Sequence, residues 1–362
     1  MTKKKINIRD IAPILVLLVL LVAIIVAIIL VTGGRNPEPK RKNFYGMTVN
    51  GEFVEYFNTA CSIYDYSGMS EDEFDRLCTE VEDQIRYYHK LFDVRNEYPG
   101  IINLCTLNRA AGGDPIAVTP QLYNFLEFCI RMHTLTGGEV NIAMGSVISI
   151  WKEYMEDGIN SPASAKLPPL ELLISAAEHT DISSILLDPE QRTVQITDPL
   201  TSIDVGAIGK GYAAERIADM LRGKGVSGFV VDLGRNLSVI GEKPSGDGWS
   251  TGIVNPDTSS GNSYIKKLEI RNTSLVTSGD YVRYYTVDGV RYHHIIDKDS
   301  LMPAEYFASV TVMTADSGVA DALSTALFCM SYEEGRALVS SIADGGTQIS
   351  VYWVTKDGRV LE

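Results

Sequence analysis

The sequence predicts an α+β fold. Two strongly amphipathic helices lie between residues 70 and 137, short β-rich runs dominate from Ser183 onward, and helical texture returns near Val319. Helical and strand periods therefore come in blocks. That is the texture of an α+β domain, or of two intimately packed lobes, and not of alternating βαβ units.

Taken in order, the chain opens on a tail, residues 1–10, followed by 21 uncharged residues from Ile11 to Val31 that are mostly Leu, Ile and Val. At about 1.5 Å per residue such a run matches a bilayer core of roughly 30 Å, so residues 11–32 are expected to form a transmembrane anchor. A cleaved signal peptide fits less well, because the apolar run is long and no small-x-small cleavage site closes it. Lys and Arg flank both ends equally. Orientation then follows from the layout, a short tail and one span before a large domain, which puts the domain on the extracytoplasmic side. Residues 33–42, with Gly33-Gly34, Pro37 and Pro39, read as a linker to a domain spanning 43–362.

After an extended region around Tyr45–Tyr64, Ser70-Glu71-Asp72-Glu73 is a capping box opening a helix to about Phe92. Its core stripe is Phe74, Leu77, Cys78, Val81, Ile85 and Tyr88. Thr119-Pro120 starts a second helix that Gly137-Gly138 ends. A tightly packed turn from Gly138 to Trp151, a loop from Ser161 to Pro169 and a helix through Leu172–His179 follow. Strands are then expected at Ser184–Leu187, Thr193–Ile196, Ser202–Val205, Gly228–Leu233, Ser250–Val254 and Tyr264–Ile270. Asp288-Gly289 and Asp357-Gly358 are hairpin signals.

The formal net charge is −14, and residues 1–42 carry eight Lys/Arg against two acids, which leaves −20 on residues 43–362. So acidic a domain does not bind nucleic acid through its bulk charge, and a phosphate ligand needs a local cation or backbone amides. The five cysteines form no C-x-x-C pair, and Cys78, Cys129 and Cys329 fall on apolar helix faces, so buried thiols are expected.

Three segments carry candidate chemistry. Asp204-Val205-Gly206-Ala207-Ile208-Gly209-Lys210-Gly211-Tyr212 follows an apolar run and precedes a helix with Ala213, Ile217, Ala218 and Leu221 inward. Glycines there let backbone approach a ligand, and a helix N-terminus attracts anions; a tight turn with a solvated lysine explains the segment equally well. Ser274–Tyr285 concentrates hydroxyls with Asp280 and Arg283, and leads to His293-His294-Ile295-Ile296-Asp297. There a His-x-x-Asp spacing can orient a histidine for proton transfer, or merely flank a surface turn. In Val319–Ala326, Asp321 and Thr325 stack four residues apart on an apolar helix. A metal can partner that carboxylate; alternatively Asp321 lies in the first turn and Thr325 bonds back to a carbonyl. H-E-x-x-H, Gly-x-Ser-x-Gly and the Rossmann fingerprint are absent, and His89, His133 and His179 have no metal spacing.

Together, Asp204-x-Gly-Ala-Ile-x-Lys-Gly-Tyr-Ala, Val231-Asp-Leu-Gly-x-Asn236, Thr277-Ser-Gly-Asp-Tyr281, His293-His-Ile-Ile-Asp297 and Ala320-Asp-Ala-Leu-Ser-Thr-Ala326 resemble, in this order, the FAD:protein FMN transferase family, also called ApbE. The resemblance covers roughly residues 50–355. It implies a single large ApbE-like catalytic domain with mixed sheets flanked by helices. It also implies an Mg²⁺-dependent enzyme that cleaves FAD, attaches FMN by a phosphoester to a threonine of a partner redox protein and releases AMP. Metal positions match Asp321, Thr325 and the Ala207 carbonyl, with Ser324 between them. Flavin-nucleotide positions match Phe57, Glu139, Val140, Asn141, Asp204, Lys210 and Ile296, and His294 matches the histidine nearest the reacting phosphate. This sequence departs from the family pattern at Arg235 and Leu301, where glycine is usual, at Lys298, where proline is usual, and at Arg95, where many members have tyrosine. FAD hydrolysis to FMN and AMP, or FAD binding without catalysis, are the competing expectations.

Overall fold

The computed structural model describes residues 38–49, 51–256 and 261–362. The expected anchor, residues 11–32, lies outside the described residues, and among those described no helix is long and apolar enough to cross a membrane. The chain divides into Met1–Lys40 and Arg41–Glu362, and the second unit holds every element that shapes the site.

An eight-stranded sheet organises that unit. Its strands are β1 (Lys40–Phe44), β2 (Cys61–Asp65), β3 (Phe229–Leu233), β4 (Asn236–Ile240), β5 (Ser274–Gly279), β6 (Ser309–Thr314), β7 (Ile349–Val354) and β8 (Val360–Leu361). They lie side by side in chain order. The ladders from β2 to β8 are all antiparallel. Among the isolated bridges of the described residues, Met144–Ser202 is parallel. β1 starts inside the segment read as linker, because Phe44 is buried in the core.

Alternation along the strands builds two layers. On β3, Phe229, Val231 and Leu233 face the helical core, while Val230 faces a second cluster with Trp249 and Ile270 of the hairpin Trp249–Val254/Tyr264–Ile270. Between β2 and β3 the chain inserts α1 (Glu71–Phe92), α2 (Pro120–Leu135) and α3 (Gly145–Asn160), then α4 (Gly209–Gly223); α5 (Ser317–Phe328) follows β6. The Ser70/Glu73 capping box starts α1, and Thr119 caps α2 with Pro120 at its first position. α3 begins inside the segment read as a turn, and the helix expected through Leu172–His179 spans Leu170–Ala177. Ser202–Val205, expected as a strand, keeps only the Met144 bridge, because Asp204 folds back to accept the Gly206 N–H at 2.9 Å. All five cysteines are free and buried.

α4 and α5 cross at Gly211, and each supplies a carboxylate to the other's N-terminal N–H groups. Asp321 Oδ2 on α5 accepts the Gly211 N–H at 2.8 Å, and Glu215 Oε2 on α4 accepts the Ser317 N–H at 2.8 Å. Glu215 is 4% exposed and is held by Arg222 at 2.5 Å. Those N–H groups lack partners within their own helices and carry the positive end of the dipole. A Cβ on Gly211 would lie 2.3 Å from the Ser317 oxygen and 2.4 Å from Asp321 Cβ, one contact with rigid backbone. Gly211→Ala is therefore expected to destabilise the fold by about 1–3 kcal/mol through overpacking. A urea midpoint equal to that of wild type would contradict a close crossing here.

Candidate functional site

The crossing gathers oxygen ligands from three elements. Asp321 sits in the second turn of α5, not the first, and is 3% exposed. Burial pushes its carboxyl above the usual range, opposed by Lys210, whose Nζ lies 4.0 Å from Oδ2, and by the Gly211 N–H. Thr325 does not bond back along its own helix. Its Oγ1 donates to the Ala207 carbonyl at 3.4 Å, while Ser324 Oγ takes the i−3 bond to the Asp321 carbonyl at 3.0 Å. Ser278 Oγ on β5 lies 2.8 Å from Ser324 Oγ and 3.3 Å from Thr325 Oγ1.

The structure thus brings Asp321, Thr325 and Ala207 together and adds Ser278, signalled only by the hydroxyl-rich Thr277-Ser-Gly-Asp-Tyr281 run. One carboxylate, hydroxyls and a carbonyl are hard oxygen donors that suit Mg²⁺, which commonly takes one or two protein carboxylates and completes its shell with water and substrate phosphate. Among the described residues no cluster of three or more His, Cys, Asp or Glu competes with this corner. Lys210 is not a freely solvated side chain, since its Nζ donates to the Gly206 carbonyl at 3.3 Å.

His294 follows the hairpin Tyr284–Val287/Val290–His293 and is exposed on one side. Its Nδ1 lies 3.2 Å from the Arg283 carbonyl, an acceptor, so Nδ1 carries the proton and the Nε2 lone pair is free. Burial of its other side, then the Arg283 and Lys210 cations, lower the imidazole pKa and keep the ring neutral at pH 7. Asp297 does not orient His294 as the His-x-x-Asp spacing suggested; its Oδ1 accepts the Asp299 and Ser300 N–H groups at 2.7 and 3.0 Å.

The remaining candidates fall into two groups, termed the two walls of the site. On one wall, the Asp204 N–H bonds the Ile142 carbonyl at 2.9 Å, which sets Asp204 beside the segment Glu139–Asn141. Asn141 is spent internally, donating to the Thr180 carbonyl at 2.8 Å and accepting from the Ala143 N–H at 2.9 Å. Val140 is buried, with its N–H on Thr136 Oγ1 at 3.1 Å. Lys298 bonds Glu139 at 3.3 Å and ties this segment to the loop after Ile296. Ile296 packs in the cluster containing Trp151 and Tyr285. Phe57 stands on the other wall, in a left-handed turn, 5.6 Å from the His89 ring.

Beside Asp204 opens a cleft of about 270 Å³, lined among others by Arg95, Asn108, Ser149, Lys152 and Glu156. Arg95, at the tyrosine position, reaches Glu156 at 3.5 Å. Burial alone would raise the Asp204 pKa, but Lys152 and the Gly206 N–H outweigh it and hold the carboxyl below its usual range.

A buried oxygen corner beside a lysine and a helix N-terminus is an arrangement able to take a hard cation or an anion. The chain belongs to the ApbE family, whose pattern it matches over residues 57–349. It is 30% identical over 293 residues to the FAD:protein FMN transferase of Klebsiella pneumoniae (strain 342), covering 81% of this chain and 85% of the relative. To the enzyme of the same name from Treponema pallidum (strain Nichols) it is 33% identical over 251 residues, 65% of this chain and 67% of the relative. Its fold resembles that of the ApbE protein of Thermotoga maritima, with a TM-score of 0.74 at 24% identity over 90% of this chain and 97% of the other. The flavin transferase ApbE of Vibrio cholerae gives 0.70 at 24% identity over 89% and 97%.

Because the Asp204 carboxyl titrates lower in the fold than in the unfolded chain, its ion pair stabilises above the ordinary carboxylate range. That stability is lost as pH falls through the depressed pKa. Lys152→Met is expected to lower stability at pH 7 by about 1–2 kcal/mol, less than a fully buried pair would cost because Lys152 is half-exposed. The gap from wild type should close below the folded pKa of Asp204. Thermal unfolding against pH measures both, and a gap independent of pH would refute the assignment.

Proposed function

We propose that this chain is an FAD:protein FMN transferase that uses Mg²⁺ to move the FMN half of FAD onto a threonine of an extracytoplasmic redox protein. The reading is supported most directly by the corner formed by Asp321, Thr325 and the Ala207 carbonyl next to Lys210, whose charge also acts on His294. The relatives' names point the same way.

In this reading the diphosphate of FAD lies over the α4 N-terminus, with Lys210 against its oxygens. Mg²⁺ held by Asp321, Thr325 Oγ1 and the Ala207 carbonyl would neutralise charge on those oxygens. Asp204 and the cleft beside it receive the nucleotide end, and Phe57 and Ile296 give apolar surface to the flat flavin rings, with Val140 buried within the Glu139–Asn141 segment. His294 Nε2 takes the proton of the acceptor threonine hydroxyl as its oxygen bonds to the FMN phosphorus. The bond from that phosphorus to the AMP oxygen breaks, and AMP leaves. The free Nε2 lone pair of a neutral ring is the state a general base requires.

The apolar run at residues 11–31 would anchor the domain to the membrane and face it outward, where a partner held at the same membrane is reached without diffusion through bulk. Protease added to intact cells should then cut the domain; protection until permeabilisation would overturn that orientation.

The decisive assay mixes the chain with FAD, Mg²⁺ and a protein bearing a threonine flavinylation motif, and reads the acceptor by mass spectrometry. A gain of one FMN unit is expected. Free FMN and AMP with an unmodified acceptor would instead make the chain an FAD pyrophosphatase, and tight FAD binding without turnover would make it a flavin-binding protein. Asp321→Ala should lose Mg²⁺-dependent turnover by about 10³-fold or more while keeping the circular dichroism of wild type. Full activity in that variant would remove the corner from the mechanism.

A further inference from the structure

We propose that Arg283 is a positioning residue that staples the two walls of the site together, its guanidinium pinning the strained turn that carries Phe57 while its own carbonyl orients His294. The inference deepens the transferase reading and rests on it for the roles of Phe57 and His294.

The turn is unusual. Phe57 and Asn58 both have φ of 51°, left-handed backbone that non-glycine residues adopt at a cost of about 1–3 kcal/mol each. Such a pair persists only where its surroundings hold it. The Tyr56 N–H bonds the Tyr45 carbonyl at 3.2 Å, the Phe57 N–H bonds His89 Nδ1 at 3.1 Å, and the Thr59 N–H bonds the Tyr56 carbonyl at 3.1 Å. The Asn58 carbonyl accepts a hydrogen bond from the Arg283 guanidinium, 225 residues away in sequence. That last bond joins the turn to the histidine wall.

Arg283 acts at both ends because of where the hairpin puts it. The ladder pairs Tyr284 with His293, and Asp288-Gly289, with φ of 50° and 82°, closes it in two residues. A two-residue turn allows one register, and one step beyond the ladder sets Arg283 opposite His294. Hence the Arg283 carbonyl takes the Nδ1 proton, which leaves Nε2 as the lone pair. The positive charges of Arg283 and Lys210 disfavour protonation of the ring, as does His293 beside it in sequence, while the Glu55 charge favours the guanidinium. One residue therefore couples the position of the flavin wall to the charge state of the base.

The test uses Arg283→Gln and Arg283→Lys in the full chain, with His294→Gln to assign the imidazole signal by NMR. Removing the cation favours imidazolium, so in Arg283→Gln the His294 titration should move up by about one pH unit. The acid limb of kcat/KM should move with it, and kcat/KM at pH 7 should fall about tenfold or more. Arg283→Lys keeps the charge but not the guanidinium fork, so the titration should stay near that of wild type while KM for FAD rises severalfold. An unchanged His294 titration in Arg283→Gln, or a variant that loses only melting temperature and keeps kcat, KM and pH profile, overturns the proposal. If wild type leaves FAD intact, the transferase reading fails on that result, and the NMR titration still decides whether Arg283 sets the state of His294.

Discussion

The bond from the Gly211 N–H to Asp321 is the constraint on which the rest of the site depends. It places a buried carboxylate on the positive end of α4, where the dipole and an otherwise unpaired N–H offset part of its desolvation. Glu215 returns the same service to the start of α5 through the Ser317 N–H, so neither helix can slide without unpairing a buried group. The glycine turn, which carries the Ala207 carbonyl and Lys210, and α5, which carries Thr325, are brought into one corner by that mutual capping. The crossing is close enough for this only because position 211 has no side chain.

Local charge then works against global charge. Residues 43–362 carry −20, and beyond about a Debye length of roughly 8 Å that field is screened, so the site is governed by what stands within a few ångströms. Lys210, Arg283 and Lys152 are each held by a carbonyl or carboxylate, which fixes their direction without cancelling all of their charge. Two of these cations, Arg283 and Lys210, also keep His294 neutral. Anion binding and the neutral state of the histidine are in this way two results of one arrangement.

Local signals in the sequence were legible where a few adjacent residues decide the backbone. The Ser70/Glu73 box, the Thr119-Pro120 start and the Asp288-Gly289 turn all appear where expected, since each is satisfied within four residues. Ser202–Val205 misled because the alternation Ser-Ile-Asp-Val resembles a strand, while the Asp204 side chain closes its own turn instead. The groups that complete the site were not legible by spacing. Asp321 meets Gly211 across 110 residues, Thr325 meets Ala207 across 118 and Arg283 meets Asn58 across 225. Asp321, Thr325 and Ala207 could be grouped beforehand only through the ordered motifs of the ApbE resemblance. The Arg283 carbonyl at His294 is a main-chain contact, which side-chain identity does not encode.

The departures from the family pattern show how tightly the backbone is specified around the site. Arg235 and Leu301 stand where glycine is usual, yet their φ values are 72° and 59°, so the left-handed geometry is kept without the residue that adopts it freely. Each strained position is held by several contacts. The Arg235 N–H bonds Asp232 Oδ1 at 2.9 Å, and its guanidinium lies 5.1 Å from the centre of the Tyr281 ring. The Leu301 N–H bonds the Asp297 carbonyl at 2.9 Å, its carbonyl accepts from Trp151 at 2.9 Å, and its side chain is buried beside that tryptophan. The strain, about 1–3 kcal/mol at such a position, is thus set against burial of an aliphatic side chain worth a similar amount. A backbone shape that survives loss of its preferred residue is demanded by something other than local propensity. At Leu301 that demand is the loop joining Ile296 to Trp151, and at Arg235 it is the tight turn from Leu233 to Asn236 that joins β3 to β4.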